Sequence, residues 1–167
     1  MAQTGSRPEA DVEGFRAAMG RFVTGVAVVT TEAGGTRYGM TINSLTSVSL
    51  DPLTLLVCLA KGSLTAEAVL ARGRFLVNLL EASQERISRQ FVAKIDDRFR
   101  DIALEPRADG LPAIAGTLGR MACLVETVQP VGDHLIVFGR VEECDCRDGA
   151  PLLYYRSGYR RLAEEAG

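Results

Sequence analysis

Apolar residues change their spacing along the chain, and each change marks an element. Val12, Phe15, Met19 and Phe22 recur at helical intervals behind Asp11, a residue suited to capping, so the first element is expected to be a helix. Gly25 interrupts the spacing, and Val26 to Thr31 is a compact β-branched run. Gly34-Gly35 signals a turn, from which Thr36 to Thr41 runs back as the second arm of a hairpin. After Asp51-Pro52 comes Leu53 to Ala60, the longest apolar run, which reads as a buried strand.

Two short helices are expected next. Ser63 or Thr65 caps the first, which continues to Arg72 and ends at Gly73. Phe75 to Leu80 reads as a strand, and Ser83 opens the second helix, with Ile87 and Phe91 on one face. Asp96 to Gly119, broken by Pro106 and Pro112, is expected to be mostly irregular. Three strand-like runs follow: Met121 to Val128, His134 to Cys146 and Pro151 to Leu162. Residues 1–11 are expected to be a flexible N-terminal tail, 12–162 one domain, and 163–167 a C-terminal tail. Short strands joined by hairpins, with a few helices, predict a mainly β fold: a closed or nearly closed antiparallel barrel with flanking helices, or a sandwich.

Composition narrows the function classes. The chain has 167 residues, 47% of them hydrophobic, enough for one domain with a real core. Its net charge of −2 disfavours nucleic acid as a partner. No apolar run approaches the roughly 18 residues that a membrane helix needs, and Met1 to Asp11 lacks the apolar core of a secretory signal. The four cysteines, Cys58, Cys123, Cys144 and Cys146, form no CxxC pair and read as reduced thiols of a cytoplasmic protein. Cys144 and Cys146 share a strand face, but the single histidine, His134, has no reason to converge on them, so no metal site is expected.

Candidate chemistry gathers in Gly39 to Pro52, GMTINSLTSVSLDP. Thr41, Ser44, Thr46, Ser47 and Ser49, with Asn43 among them, favour local turns and leave the main chain accessible. Such a segment is either an exposed Ser/Thr-rich strand and turn, or a backbone surface whose N–H groups read one edge of a flat heterocycle. No GxGxxG or P-loop spacing is present.

This segment, preceded by FVTGVAVVTT (Phe22 to Thr31), resembles the flavin reductase-like family, the small reductase components of two-component flavin-dependent monooxygenases. Further pieces match in order: VCLAKGSLT (Val57 to Thr65), GRFLVNLL (Gly73 to Leu80), QFV (Gln90 to Val92), DRF (Asp97 to Phe99), GDHLIVFGRV (Gly132 to Val141) and PLLYYRSGYRRL (Pro151 to Leu162). The resemblance implies an FMN-binding split barrel, a Greek-key antiparallel fold. It also implies hydride transfer from NADH or NADPH to FMN or FAD, a homodimer, and a partner monooxygenase that receives the reduced flavin.

By the same resemblance, Thr41, Asn43 and Ser44 approach the ribityl chain and ring edge, and Ser47, Val48 and Ser49 line the isoalloxazine. Cys58 and Ala60 pass beneath the ring or the ribityl chain. Lys61, Ser63 and Thr65 resemble a phosphate-binding turn, Arg98 a second phosphate contact and Phe99 a pocket wall. His134 is placed by the nicotinamide, with Tyr159 and Arg156 as contacts to the dinucleotide or the subunit partner. In the last piece Tyr155 stands where relatives often carry histidine or phenylalanine, and Ser157-Gly158 departs from a glycine-first pattern. A flavin-retaining oxidase on the same barrel, or a non-catalytic flavin or haem carrier or sensor, is the alternative activity.

Overall fold

The computed structural model describes residues 9–162. The tails expected at 1–11 and 163–167 therefore lie, except for residues 9–11, outside the described residues. In chain order the elements are α1 (Val12–Met19), β1 (Thr24–Gly25), β2 (Ala27–Ala33), β3 (Thr36–Ile42), β4 (Thr46–Leu50), β5 (Leu53–Ala60), α2 (Leu64–Arg72) and β6 (Arg74–Leu79). They continue with α3 (Glu85–Val92), β7 (Leu104–Glu105), β8 (Ala113–Ile114), β9 (Gly119–Val131), β10 (His134–Cys146), β11 (Leu153–Tyr155) and β12 (Gly158–Arg160).

Seven strands form one antiparallel sheet in the order β3-β2-β6-β9-β10-β5-β4. Its edge strands, β3 and β4, are consecutive in the chain, so the sheet curls until its ends meet at a seam spanned by residues 43–45. Among the described residues no ladder closes that seam. The hydroxyl of Ser44 crosses it instead, accepting from Cys58 N at 3.0 Å and donating to Cys58 O at 3.2 Å. Inside the curl lie Val29, Leu55, Val57, Leu59, Phe75, Val77, Cys123 and Val137, and α2 plugs one end with Ala66 and Val69. Burial at Cys123, and secondarily Glu142, pushes its thiol up to about 12, so it is an inert core group.

Local signals account for the helix ends. Asp11 accepts from Gly14 N to start α1, Ser63 accepts from Ala66 N to start α2, and Gly73 ends α2 at a left-handed φ of 69°. The expected start at Ser83 is different. Glu81 caps a single 3₁₀ turn, Ala82–Gln84, reciprocated by the Gln84 side chain, and α3 begins only afterwards.

The excursion between α3 and β9 contains the short β7–β8 pair and is laid on the outer face of the sheet. Leu111 and Ala113 pack on Leu76 and Ala122. Beneath it the buried amide of Asn78 donates to Val28 O and Thr30 Oγ1 and accepts from Ile114 N, while Thr30 donates to Pro112 O. These bonds give irregular backbone the partners that burial requires. The run Leu53 to Ala60 is buried on one face only: Leu55, Val57 and Leu59 point inward, whereas Leu56, Cys58 and Ala60 are half-buried on the outer face. Among the described residues no helix is long and apolar enough to cross a membrane.

Candidate functional site

The hydroxyl-rich segment folds as the seam itself. Thr41 lies one residue before the end of β3, Asn43 and Ser44 cross to β4, and Ser47, Val48 and Ser49 lie on β4, an edge strand whose only ladder partner among the described residues is β5. Ser47 pairs with Leu55 and Ser49 with Thr54, leaving Val48 without a partner at an irregularity in the ladder. One side of β4 thus keeps unpaired backbone donors and acceptors, a surface that a planar ligand with an acceptor edge can use.

Two clefts flank the seam. The larger, about 1010 Å³, is walled by Phe15, Met19, Leu45, Leu56 and Cys58, with Asn43, Ser44 and Thr46 at its polar margin. The smaller, about 450 Å³, is lined by Thr41, Asn43, Ser88, Arg89, Ser157 and Tyr159 among others. Thr41 donates to Ser88 O at 2.7 Å, and the buried Ser88 hydroxyl lies 2.8 Å from Tyr159 Oη. These bonds tie β3, α3 and β12 around the smaller cleft. Ser88, Arg89 and Ser157 were missing from the sequence-derived set. Ser88 and Arg89 lie just before the QFV piece, on a helix whose polar face carried no distinguishing pattern.

The other expected residues divide into two groups. At the far end of β5, His134 pairs with Ala60 across the β10–β5 ladder. Lys61 N and Nζ donate to Asp133 O and Gly132 O, which clamps the β9–β10 turn to the β5–α2 turn. His134 Nδ1 is 2.8 Å from Asp133 Oδ1, and this contact holds the Asp133 carboxyl below its ordinary range. Ser63 is the α2 cap and Thr65 is buried within that helix.

Arg98 and Phe99 belong to the α3 side. Arg98 donates Nε to Ala93 O at 3.1 Å and Nη1 to Gly39 O at 2.9 Å, and Phe99 packs edge-on to Phe91. The structure therefore gathers Thr41, Asn43, Ser44, Cys58 and Tyr159 around the two clefts. His134 and the Ser47–Ser49 edge stand apart. They lie on opposite sides of β5 and, through partners Ala60 and Leu55, five positions apart along it, about 17 Å. All four cysteines are free, and no group of three or more metal-ligating side chains occurs among the described residues.

Comparison with known proteins agrees on one family. The profile described as flavin reductase like domain matches residues 19–163. The chain is 46% identical over 162 residues to the flavin reductase (NADPH) of Lentzea aerocolonigenes, covering 94% of this chain and 93% of that protein. It is 37% identical over 158 residues to the flavin-dependent monooxygenase reductase subunit HsaB of Mycobacterium tuberculosis, covering 93% and 84%. It is also 40% identical to a longer Rhizobium meliloti relative named "Probable flavin reductase", spanning 51% of its length. Among solved structures, the Streptomyces globisporus NADH:FAD oxidoreductase SgcE6 in complex with NAD and FAD fragments matches with a TM-score of 0.88 at 33% identity, covering 94% of this chain and 96% of that one.

Proposed function

Since this chain belongs to the flavin reductase-like family, we propose how its residues carry that family's reaction. The protein is an NAD(P)H:flavin oxidoreductase that supplies reduced FMN or FAD to a partner flavin-dependent monooxygenase. Bound flavin supplies the hydride-accepting chemistry, so the protein's task is to hold two planar rings in register and exclude water.

The observation that carries the assignment of roles is the continuity of Thr41, Asn43 and Ser44 with the unpaired edge of β4, beside a cleft of about 1010 Å³. Thr41, Asn43 and Ser44 bind the ribityl hydroxyls. The backbone N–H groups of Ser47, Val48 and Ser49 face the ring edge where negative charge accumulates on reduction. Cys58 and Ala60 floor the site through their outer sheet face. His134, steadied by Asp133, orients the nicotinamide. Lys61 and Ser63 serve the dinucleotide end of the site, and Tyr159 the α3 side. Thr65, Arg98 and Phe99 support these elements from within.

The enzyme acts as a homodimer. Val12, Phe15 and Met19 of α1, and Phe22 beyond it, are exposed with no cover among the described residues, and Leu50 and Leu53 expose further apolar surface at the β4–β5 turn. A second copy covers these surfaces. A cytoplasmic setting fits four free thiols and a reduced nicotinamide substrate.

The test is consumption of NADH and of NADPH with FMN or FAD added in turn, in wild type and in Val48→Pro. Proline there removes an N–H that the β4–β5 ladder does not use, and edge strands tolerate it. Flavin affinity is expected to fall about tenfold with unfolding stability retained. Absence of turnover with every cofactor pair would sink the assignment of roles.

A further inference from the structure

Beyond Arg140, β10 leaves β5 behind and among the described residues pairs with β9 alone. Strand alternation sorts the side chains of this overhang onto two faces. Glu143 and Asp145 take the outer face. Arg107 of the excursion holds Glu143 at 2.8 Å, and Arg120, itself bonded to Glu105 of β7, holds Asp145 at 3.2 Å. Cys144 and Cys146 therefore point the other way, and their cross-strand partners agree. Cys144 pairs with Met121, which packs against the inner core, and Cys146 pairs with Gly119. A Cβ on Gly119 would stand 3.6 Å from the Cys146 Cβ and 3.4 Å from Cδ1 of Leu79, another inner-core contact. Both cysteines are free and exposed. The inner rim of the overhang thus carries two thiols and a thioether on one small patch.

Spacing decides what two such thiols can share. Residues two apart on a strand have Cα atoms about 6.6 Å apart, near the upper limit for a disulfide. Their Cβ atoms run parallel and do not converge to the roughly 3.8 Å that an S–S bond needs. A metal ion relaxes that demand, because two metal–sulfur bonds of about 2.3 Å span up to about 4.6 Å. Directly opposed Cβ atoms in an antiparallel pair lie about 4.5–5.5 Å apart, so the Met121 sulfur is within reach of an ion at Cys144. Donor softness then selects the ion. Thiolate and thioether sulfur favour Cu(I), whereas calcium, magnesium and manganese favour oxygen. Zinc requires four ligands. Here the nearest carboxylates face away in ion pairs, His134 lies at the other end of β10, and no three His, Cys, Asp or Glu side chains gather among the described residues. With methionine counted as a donor the patch offers three sulfurs, a number that suits Cu(I).

We propose that Cys144, Cys146 and Met121 bind one Cu(I) ion on the inner rim of the β9–β10 overhang. The site is independent of the flavin reading, in which none of these residues takes part. Binding replaces the two thiol protons with the ion and leaves the copper monovalent, so no electron is exchanged.

The test titrates Cu(I) into the full chain, kept reduced and free of oxygen, against a chromogenic Cu(I) chelator. Wild type is expected to hold one ion per chain, with sulfur alone around the metal in X-ray absorption. Cys144→Ser and Cys146→Ser should each weaken binding by more than the roughly 10- to 100-fold that losing an outer-shell partner costs. Met121→Leu, which conserves volume, should weaken it about tenfold. Cys58→Ser should leave copper binding unchanged, and thermal unfolding of the metal-free variants should match that of wild type. Copper surrendered entirely to the chelator, or held equally well by both serine variants, would overturn the proposal. So would unchanged affinity in Met121→Leu, which removes the third sulfur, or one ion per two chains, which places the metal between copies. A Cys144–Cys146 disulfide in the purified protein would sink the spacing argument on which the choice of a metal rests.

Discussion

Gly39 shows how closely single residues control the seam. A Cβ there would lie 2.6 Å from Cε1 and 2.9 Å from Cδ1 of Phe91, a ring with almost no exposed surface and edge-on to Phe99. The Phe91 ring is fully buried, so either it or the backbone of β3 must shift. Gly39→Ala is expected to cost about 1–3 kcal/mol in denaturant unfolding. Flavin affinity should fall with it, because Thr41 lies two residues further along β3. Gly25→Ala is the matching control, since nothing lies within 4 Å of its Cβ position. Glycine at 39 is therefore a packing requirement; its sequence neighbours, Tyr38 and Met40, do not announce it.

At the scale of elements, the excursion over the outer sheet face is held by ion pairs as well as by Asn78. Arg107 bonds Asp109 through Nε at 3.0 Å and Nη2 at 2.6 Å, and also reaches Glu143 on β10 at 2.8 Å. Arg107 beside Asp109 holds its carboxyl below the ordinary 3.8, with Leu111 N adding to the effect. The folded state thus favours the ionised form. Its contribution is complete above the unfolded value and is lost as pH falls through the lower folded value. Asp109→Asn is expected to unfold about 1–3 kcal/mol more easily near neutral pH. The gap between variant and wild type should begin to narrow below about pH 4 and close only once the pH has fallen through the lower folded value, where the native carboxyl takes up its proton. Thermal unfolding across that range measures both effects, and a gap that persists in acid would show that Asp109 acts through shape instead of charge.

For the whole molecule, the open question is what covers α1. Phe15 is 66% exposed and Phe22 67%, and among the described residues nothing buries any position of the helix. An eight-residue helix in that condition has too little packing to be stable alone. Wild type is expected to sediment as a dimer. Phe15→Glu should shift it toward monomer and lower turnover, because α1 also walls the larger cleft. A variant that remained a dimer would remove α1 from the interface.

Much of the fold was legible in the chain because it is decided within a few residues. The caps Asp11 and Ser63, the left-handed Gly73, and the bounds of β5 and β10 follow from side-chain chemistry and spacing that neighbours settle between themselves. The hydroxyl-rich segment was legible as accessible backbone for the same reason. Long-range contacts decided the rest. Thr30 and Pro112, 82 positions apart, bond only because the excursion folds back over the sheet. Arg98 reads as a ligand contact by its place in a motif, yet tertiary structure turns its Nε and Nη1 donors to the carbonyls of Ala93 and Gly39. Register likewise separates His134 from Ser47, since both answer to partners on β5 that no local pattern encodes. Local propensity determined the elements of this protein; strand pairing and burial determined which of its polar groups remain free to bind.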